Sequence, residues 1–100
     1  MSAFDHTSID DVIHGKVRLG IMAYLSTAES ATFKELRDKV NATDGNLSVQ
    51  ISKLEEAGYV RVEKSFQGKK PLTRVALTKH GRDAWIAYLG RLQALLNAAE

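Results

Sequence analysis

An α+β fold, mostly helical, is what this 100-residue sequence predicts, with two or three antiparallel strands among the helices and a long helix closing the chain. Three observations lead there. Apolar residues recur at helical spacing in four stretches, Ile9–Leu25, Phe33–Val40, Leu47–Leu54 and Ala84–Leu96. From Tyr59 to Leu77 the period drops to two, with turn residues Gly68 and Pro71 in the middle. The second and third helical stretches are joined only by a tight turn at Asn41 and Ala42, which is helix–turn–helix spacing.

Taken in order, residues 1–7 read as a flexible tail and 8–98 as a single domain. Ser8 is expected to cap the first helix, with Asp11 three residues on in a capping-box-like position. Ile9, Val12, Ile13, Val17, Leu19, Ile21, Met22 and Leu25 then carry that helix to about Ser26. Gly15 and Gly20 inside it would each cost about 1 kcal/mol relative to Ala, a cost that close helix packing would explain. Thr27–Ser30 is a polar connection, and Ala31 and Thr32 form a very short strand. Thr32 also caps the next helix, with Glu35 at the capping-box position and Phe33, Leu36 and Val40 facing inward.

The third helix, about 44–57, starts on the cap Thr43, carries Asp44 in its first turn, and stops at Gly58. Leu47, Ile51 and Leu54 form its inner stripe. Tyr59–Lys64 is a strand with Val60 and Val62 on one face, Gln67–Pro71 a hairpin tip, and Thr73–Leu77 the returning strand with Val75 and Leu77 inward. Thr78 caps the last helix, in which Trp85 and Leu89 are expected to complete the core. A helix–turn–helix followed by a two- or three-stranded ribbon is a winged helix-turn-helix.

Composition narrows the function classes. The hydrophobic share of 44% and charged share of 26% are those of a globular domain rather than a disordered chain. With no cysteine there can be no disulfide, no thiol redox chemistry and no Cys-based zinc site. The first thirty residues lack a signal-peptide pattern, and no apolar run approaches the roughly 20 residues of a membrane span, so no membrane partner is expected. The net charge is only +2, but it is unevenly spread. Between Thr43 and Arg82 eight basic residues stand against four acids, while the first thirty residues lean acidic. That asymmetry suits a polyanion facing one side of the molecule.

The outer face of the third helix is small and polar, as a helix entering a DNA groove requires. Asn46 can bridge adenine, Lys53 can reach guanine or a phosphate, Ser48 and Ser52 can donate to either, and Val49 can pack on a thymine methyl. Gly45 keeps the same face slim. The candidate base-reading set is therefore Gly45, Asn46, Ser48, Val49, Ser52 and Lys53. The candidate backbone and wing set is Thr43, Gln50, Lys64, Gln67, Lys69, Lys70 and Arg74, with the wing at about 64–72. Asp44 cuts against this reading, since a carboxylate repels phosphate unless it caps, meets a cytosine amino group or turns away.

No enzymatic constellation is present: no nucleophile elbow, no phosphate-cradling glycine loop and no paired carboxylates on an apolar background. His6, His14 and His80 lie far apart, and Asp10 with His14 at i, i+4 has no third ligand, so neither a metal nor a cofactor is expected. The apolar stripe of the last helix runs beyond what a small domain covers. Tyr88, Leu92, Leu95 and Leu96, with Ile9 and Ile13 of the first helix, are the candidate dimer interface.

The run L-S-V-Q-I-S-K-L-E-E-A-G-Y-V from Leu47 to Val60, then K-S-F-Q-G-K-K-P-L-T-R-V-A-L-T from Lys64 to Thr78, then Gly81-Arg82, resembles the winged-helix transcriptional regulators related to the MarR family, in their short single-domain form from bacteria and archaea. The resemblance spans about Val12 to Leu96. It implies a prokaryotic, cytoplasmic, nucleoid-associated homodimer, formed through its terminal helices. Each subunit would offer one recognition helix and one wing to half of a pseudo-palindromic operator, with half-sites about 34–36 Å apart. In many relatives a small aromatic effector binds near the dimer interface and releases DNA; the identity of any effector here is open. The competing expectation is a winged-helix protein-interaction module that docks through the same terminal helices and binds no nucleic acid.

Overall fold

The computed structural model describes residues 5–99. The order is α1 (Lys16–Thr27), β1 (Ala31–Thr32), α2 (Phe33–Val40), α3 (Asp44–Glu56), β2 (Val60–Gln67), β3 (Lys70–Leu77) and α4 (Lys79–Ala98), preceded by one 3-10 turn at His6–Ser8. The sheet has three antiparallel strands in the order β1-β3-β2. α1 packs on α2, α3 and α4, and the core between helices and sheet holds Ile21, Met22, Leu25, Leu36, Leu47, Leu54 and Val75 with no exposure. Most of the expected tail, residues 1–4, lies outside the described residues.

The local signals for α2 and α3 act as expected. Thr32 and Glu35 form a reciprocal capping box, and the Thr32 backbone N–H holds the Glu35 carboxyl below the usual range. α2 ends on Asn41 in the left-handed region (φ 53°), which a short polar side chain tolerates. The Thr43 side chain accepts from the Asn46 N–H, and Gly58 (φ 79°) makes the turn from α3 toward β2.

The first helix is shorter than expected. It begins at Lys16, not after Ser8. The Asp10 carboxylate accepts from the backbone N–H groups of Val12 (2.8 Å) and Ile13 (3.2 Å), a local turn that competes with helix. Ser8 instead donates its hydroxyl to the Asp5 carbonyl. Gly15 therefore lies at the N-cap in extended conformation, outside the helix, and only Gly20 is helical. A Cβ at Gly20 would lie 3.1 Å from Val40 Cγ1, so this glycine does mark close packing of α1 on α2.

The segment before α1 is fastened to the domain at two points. The Tyr59 hydroxyl donates to Asp10 (2.5 Å), and His14 Nδ1 meets the Tyr88 hydroxyl (2.9 Å). Burial, then the Asp10 hydrogen bond and charge, push the Tyr59 phenol up to about 12. Asp10 and His14, at ligand spacing in sequence, thus serve different partners.

The ribbon is longer than expected. β2 and β3 continue through the anticipated tip and pair from Val60↔Leu77 out to Gln67↔Lys70, leaving a two-residue turn at Gly68–Lys69. Gly68 has φ 65°, and Lys69 does not share a positive φ, which is the pattern of a type II′ hairpin turn. Pro71 is tolerated in β3 because β1 pairs only with Val75 and Arg74, so the strand has an open edge at Pro71.

Two of the expected interface residues, Tyr88 on α4 and Ile13 in the segment before α1, belong to the core. Tyr88 is 2% exposed and Ile13 fully buried within one chain, so no second copy can reach them. Leu89, expected inside, is 45% exposed. α4 has two apolar stripes: Ala84, Trp85, Tyr88 and Leu92 pack on the domain, while Ile86, Leu89 and Leu96 face outward.

Candidate nucleic-acid interface

Three buried leucine and isoleucine side chains hold α3 against the core, and the remaining face looks outward. Gly45, Asn46, Ser48, Val49, Ser52 and Lys53 are all exposed, so the predicted base-reading set shares one accessible surface. Thr43 is exposed too, with its hydroxyl committed to the cap. Gln50 is half-buried and occupied at both ends: it accepts from Arg18 Nη1 (2.5 Å) and donates from Nε2 to Asn46 Oδ1 (3.0 Å). Arg18 also donates from Nε to the Val12 carbonyl (2.5 Å). A relay from the segment before α1 through Arg18 and Gln50 thereby orients the Asn46 amide. Both polar ends of Gln50 are thus engaged within the chain.

Asp44 is exposed but paired. Its carboxylate takes a hydrogen bond from Arg37 Nη1 at 3.0 Å, across the turn between α2 and α3. The charge that argued against DNA is matched by a guanidinium on the preceding helix. Arg37 has no local sequence signal, because its partner lies seven residues on in the next element. With Arg37→Ala, affinity for every duplex should fall several-fold, and adding Asp44→Asn should restore most of it. Anisotropy titrations of the two variants check this, and an unchanged Arg37→Ala affinity would show that Asp44 faces no phosphate.

The register of the ribbon sorts its charges onto two faces. Side chains alternate along a strand, and directly paired residues share a face. Val60/Leu77, Val62/Val75, Lys64/Thr73 and Phe66/Pro71 therefore lie on the face turned toward α3. Arg61/Ala76, Glu63/Arg74, Ser65/Leu72 and Gln67/Lys70 lie on the other. Lys64 and Thr73 line a groove of about 540 Å³ whose other walls include Phe33 and the α3 residues Ser48, Ile51, Ser52 and Glu55. Lys64 thus belongs with α3, whereas Arg74 lies behind it, opposite Glu63 and beside Thr32. Arg61 is engaged by Glu63 (2.8 Å) and by the Leu77 carbonyl (3.2 Å), which removes the ribbon's only acid from play. Gln67, Lys69 and Lys70 are exposed at the tip.

This surface is a slim polar helix and a basic ribbon tip flanking one groove. It offers amide, hydroxyl and ammonium groups to base edges and phosphates. Among the described residues no helix is long and apolar enough to cross a membrane.

Comparison with known proteins agrees with this geometry. An uncharacterized protein of Methanocaldococcus jannaschii is 37% identical over 78 residues, covering 78% of this chain and 85% of that one. The structure of a transcriptional regulator homologue from Pyrococcus horikoshii superposes with a TM-score of 0.88 at 28% identity, covering 100% of this chain and 99% of that one. A MarR-family regulator structure from Enterococcus faecalis shares the fold, with a TM-score of 0.68 at 22% identity over 89% of this chain and 84% of that one. Residues 17–96 match the family model for the winged helix DNA-binding domain, and the chain belongs to that family, whose fold here is that of transcriptional regulators.

Proposed function

We propose that the protein is a homodimeric, sequence-specific transcriptional regulator that represses by occupying a pseudo-palindromic operator. In this reading α3 lies in the major groove, with Asn46, Val49 and Lys53 as its principal base contacts, and the outer ribbon lies along the backbone toward the minor groove. The observation that carries it is the exposed outer face of α3 from Gly45 to Lys53, free of carboxylates over that stretch, with Asp44 before it paired to Arg37 and Glu55 and Glu56 only after it, beside a ribbon bearing Lys64 at the groove and Lys69 and Lys70 at its tip. Selection of bound fragments from genomic DNA tests it. A shared half-site should emerge, and Asn46→Ala should relax preference at one position by roughly 1–3 kcal/mol. Equal loss on all sequences would count against base reading by Asn46.

The second stripe of α4 supports the dimer. Ile86 (63% exposed), Leu89 (45%) and Leu96 (55%) recur at spacings of three and seven, the seam of a helix pair. Half-buried Leu95 adjoins Leu96 on the same helix, and a seam of this kind left bare would be a liability in a monomer. We assign the interface to this stripe rather than to Ile13 and Tyr88. Leu89→Glu should convert a dimer to monomers in analytical ultracentrifugation at micromolar concentration. Because half-site binding is then no longer joined, operator affinity should fall steeply. A Leu89→Glu protein that stays dimeric would move the interface elsewhere.

A further inference from the structure

Phe66 is the most exposed large hydrophobic residue among those described, at 73%. Its position is set by register. On the α3-facing side of the ribbon, Val60/Leu77 and Val62/Val75 belong to or border the core, and Lys64/Thr73 line the groove with α3. Phe66/Pro71 is one pair further out, where no other element covers it. The ring therefore contributes nothing to the core. Positive charge lies close by, with Lys64 two residues before it on the same face, Lys69 in the turn, and Lys70 beside the turn on the other face. Glu63, the one acid of the ribbon, points to the opposite face and is held by Arg61.

An apolar ring among lysines on a narrow hairpin suits one kind of occupant. The core of a protein–protein contact is depleted of lysine, so an apolar protein groove fits poorly. The minor groove of duplex DNA, about 6 Å wide, is strongly negative at its walls and apolar along its stacked steps. From Lys64, which lines the groove beside α3, the ribbon runs roughly 10 Å further to Gln67, at about 3.3 Å per residue, with Phe66 about 7 Å out. That is enough to carry a side chain past the backbone. We infer that Phe66 is a wedge: it enters the minor groove next to the α3 site and partly unstacks a base step, bending the duplex, while Lys64, Lys69 and Lys70 grip the flanking phosphates. The inference rests on the DNA-binding reading above and adds to it a residue that reads deformability rather than base edges.

The test compares wild type, Phe66→Ala, Phe66→Leu and the Lys69→Ala/Lys70→Ala pair on a selected genomic fragment. Bending is read from the mobility of circularly permuted fragments, and unstacking from 2-aminopurine placed at successive steps. Wild type should bend the fragment and brighten one step. Phe66→Ala should lose most of both signals and several-fold in affinity, with its salt slope and melting temperature unchanged. Phe66→Leu should keep much of the bend, and the lysine pair should change the salt slope while retaining it. A wild-type complex that is straight, or a Phe66→Ala complex bent as wild type, overturns the wedge and leaves DNA binding standing. A Phe66→Ala protein altered in oligomeric state but not in DNA bending also overturns it, in favour of a protein contact. A wild-type protein that binds no duplex at all removes the DNA-binding reading and the wedge together.

Discussion

Gly81→Ala is expected to lower stability by roughly 3 kcal/mol, the upper end of what overpacking a well-filled site costs, and the melting temperature by about 15 °C. Gly81 is buried at the start of α4, where a Cβ would overlap the carbonyl oxygen of Tyr59 and lie 2.9 Å from its Cα. The neighbour is backbone, so no rotamer change relieves the clash. Around this point the Thr78 N–H donates to the Tyr59 carbonyl (3.1 Å), the Thr78 hydroxyl donates to the Gly58 carbonyl (2.6 Å), and the same hydroxyl caps Gly81 N–H (2.9 Å). Making room for a methyl group would pull α4 off the turn that ends α3. Gly90→Ala on the same helix is the control: nothing lies within 4 Å of a Cβ there, and the change should stabilise by up to about 1 kcal/mol through helix propensity. Urea denaturation of both variants decides it. If Gly81→Ala unfolds at the wild-type midpoint, α4 is not docked backbone to backbone as described. The close approach matters beyond stability, because it ties the helix carrying the proposed dimer seam directly to the end of the helix proposed to meet DNA.

The largest effect on binding is expected from Lys69→Ala combined with Lys70→Ala. Lys69 sits in the two-residue turn and Lys70 pairs with Gln67 beside it, both exposed and with no acidic partner among the described residues. Removing two ammonium groups from the phosphate backbone should reduce the slope of log Kobs against log salt by about 2 per ribbon. Affinity should fall on all sequences alike, with the order of preference among them unchanged. Lys79→Ala, which removes a lysine already paired with Asp83 at 3.0 Å, should leave the slope as it is in wild type. An unchanged slope for the double variant would mean that the ribbon tip does not touch the backbone.

Much of this architecture is legible in the sequence because its signals are local. The caps at Thr32, Thr43 and Thr78 and the stop at Gly58 each act within a few residues, and they place α2 and α3 closely. The start of α1 is not legible because two local signals compete there. Asp10 closes a turn on Val12 and Ile13, and that turn prevails over a cap at Ser8. The ribbon outruns its periodicity because Gly68 allows a turn of two residues, which returns Gln67, Lys70 and Pro71 to the strands. Periodicity finds the apolar residues of α4 but does not say which of two stripes faces inward, so it exchanges Tyr88 and Leu89.

Within the candidate site, the sequence supplies the exposed face of α3 but not what orients it. Arg18 reaches Gln50 from thirty-two residues away, and Arg37 reaches Asp44 across a turn. Neither pairing has a spacing that a single sequence announces. The division of the wing charges is hidden for a related reason. Lys64 and Arg74 are both basic strand residues, and only the register shows that Lys64 faces α3 and Arg74 faces away.

The most direct test of DNA recognition by this surface is amide NMR mapping of the wild-type protein titrated with duplex DNA at low salt. Shifts are expected to concentrate at residues 43–53 of α3 and 64–70 of the ribbon, with α1 and the outer stripe of α4 little changed. Shifts confined to the Ile86–Leu96 face of α4, or none on adding duplex, would contradict DNA recognition and favour a protein-docking module instead.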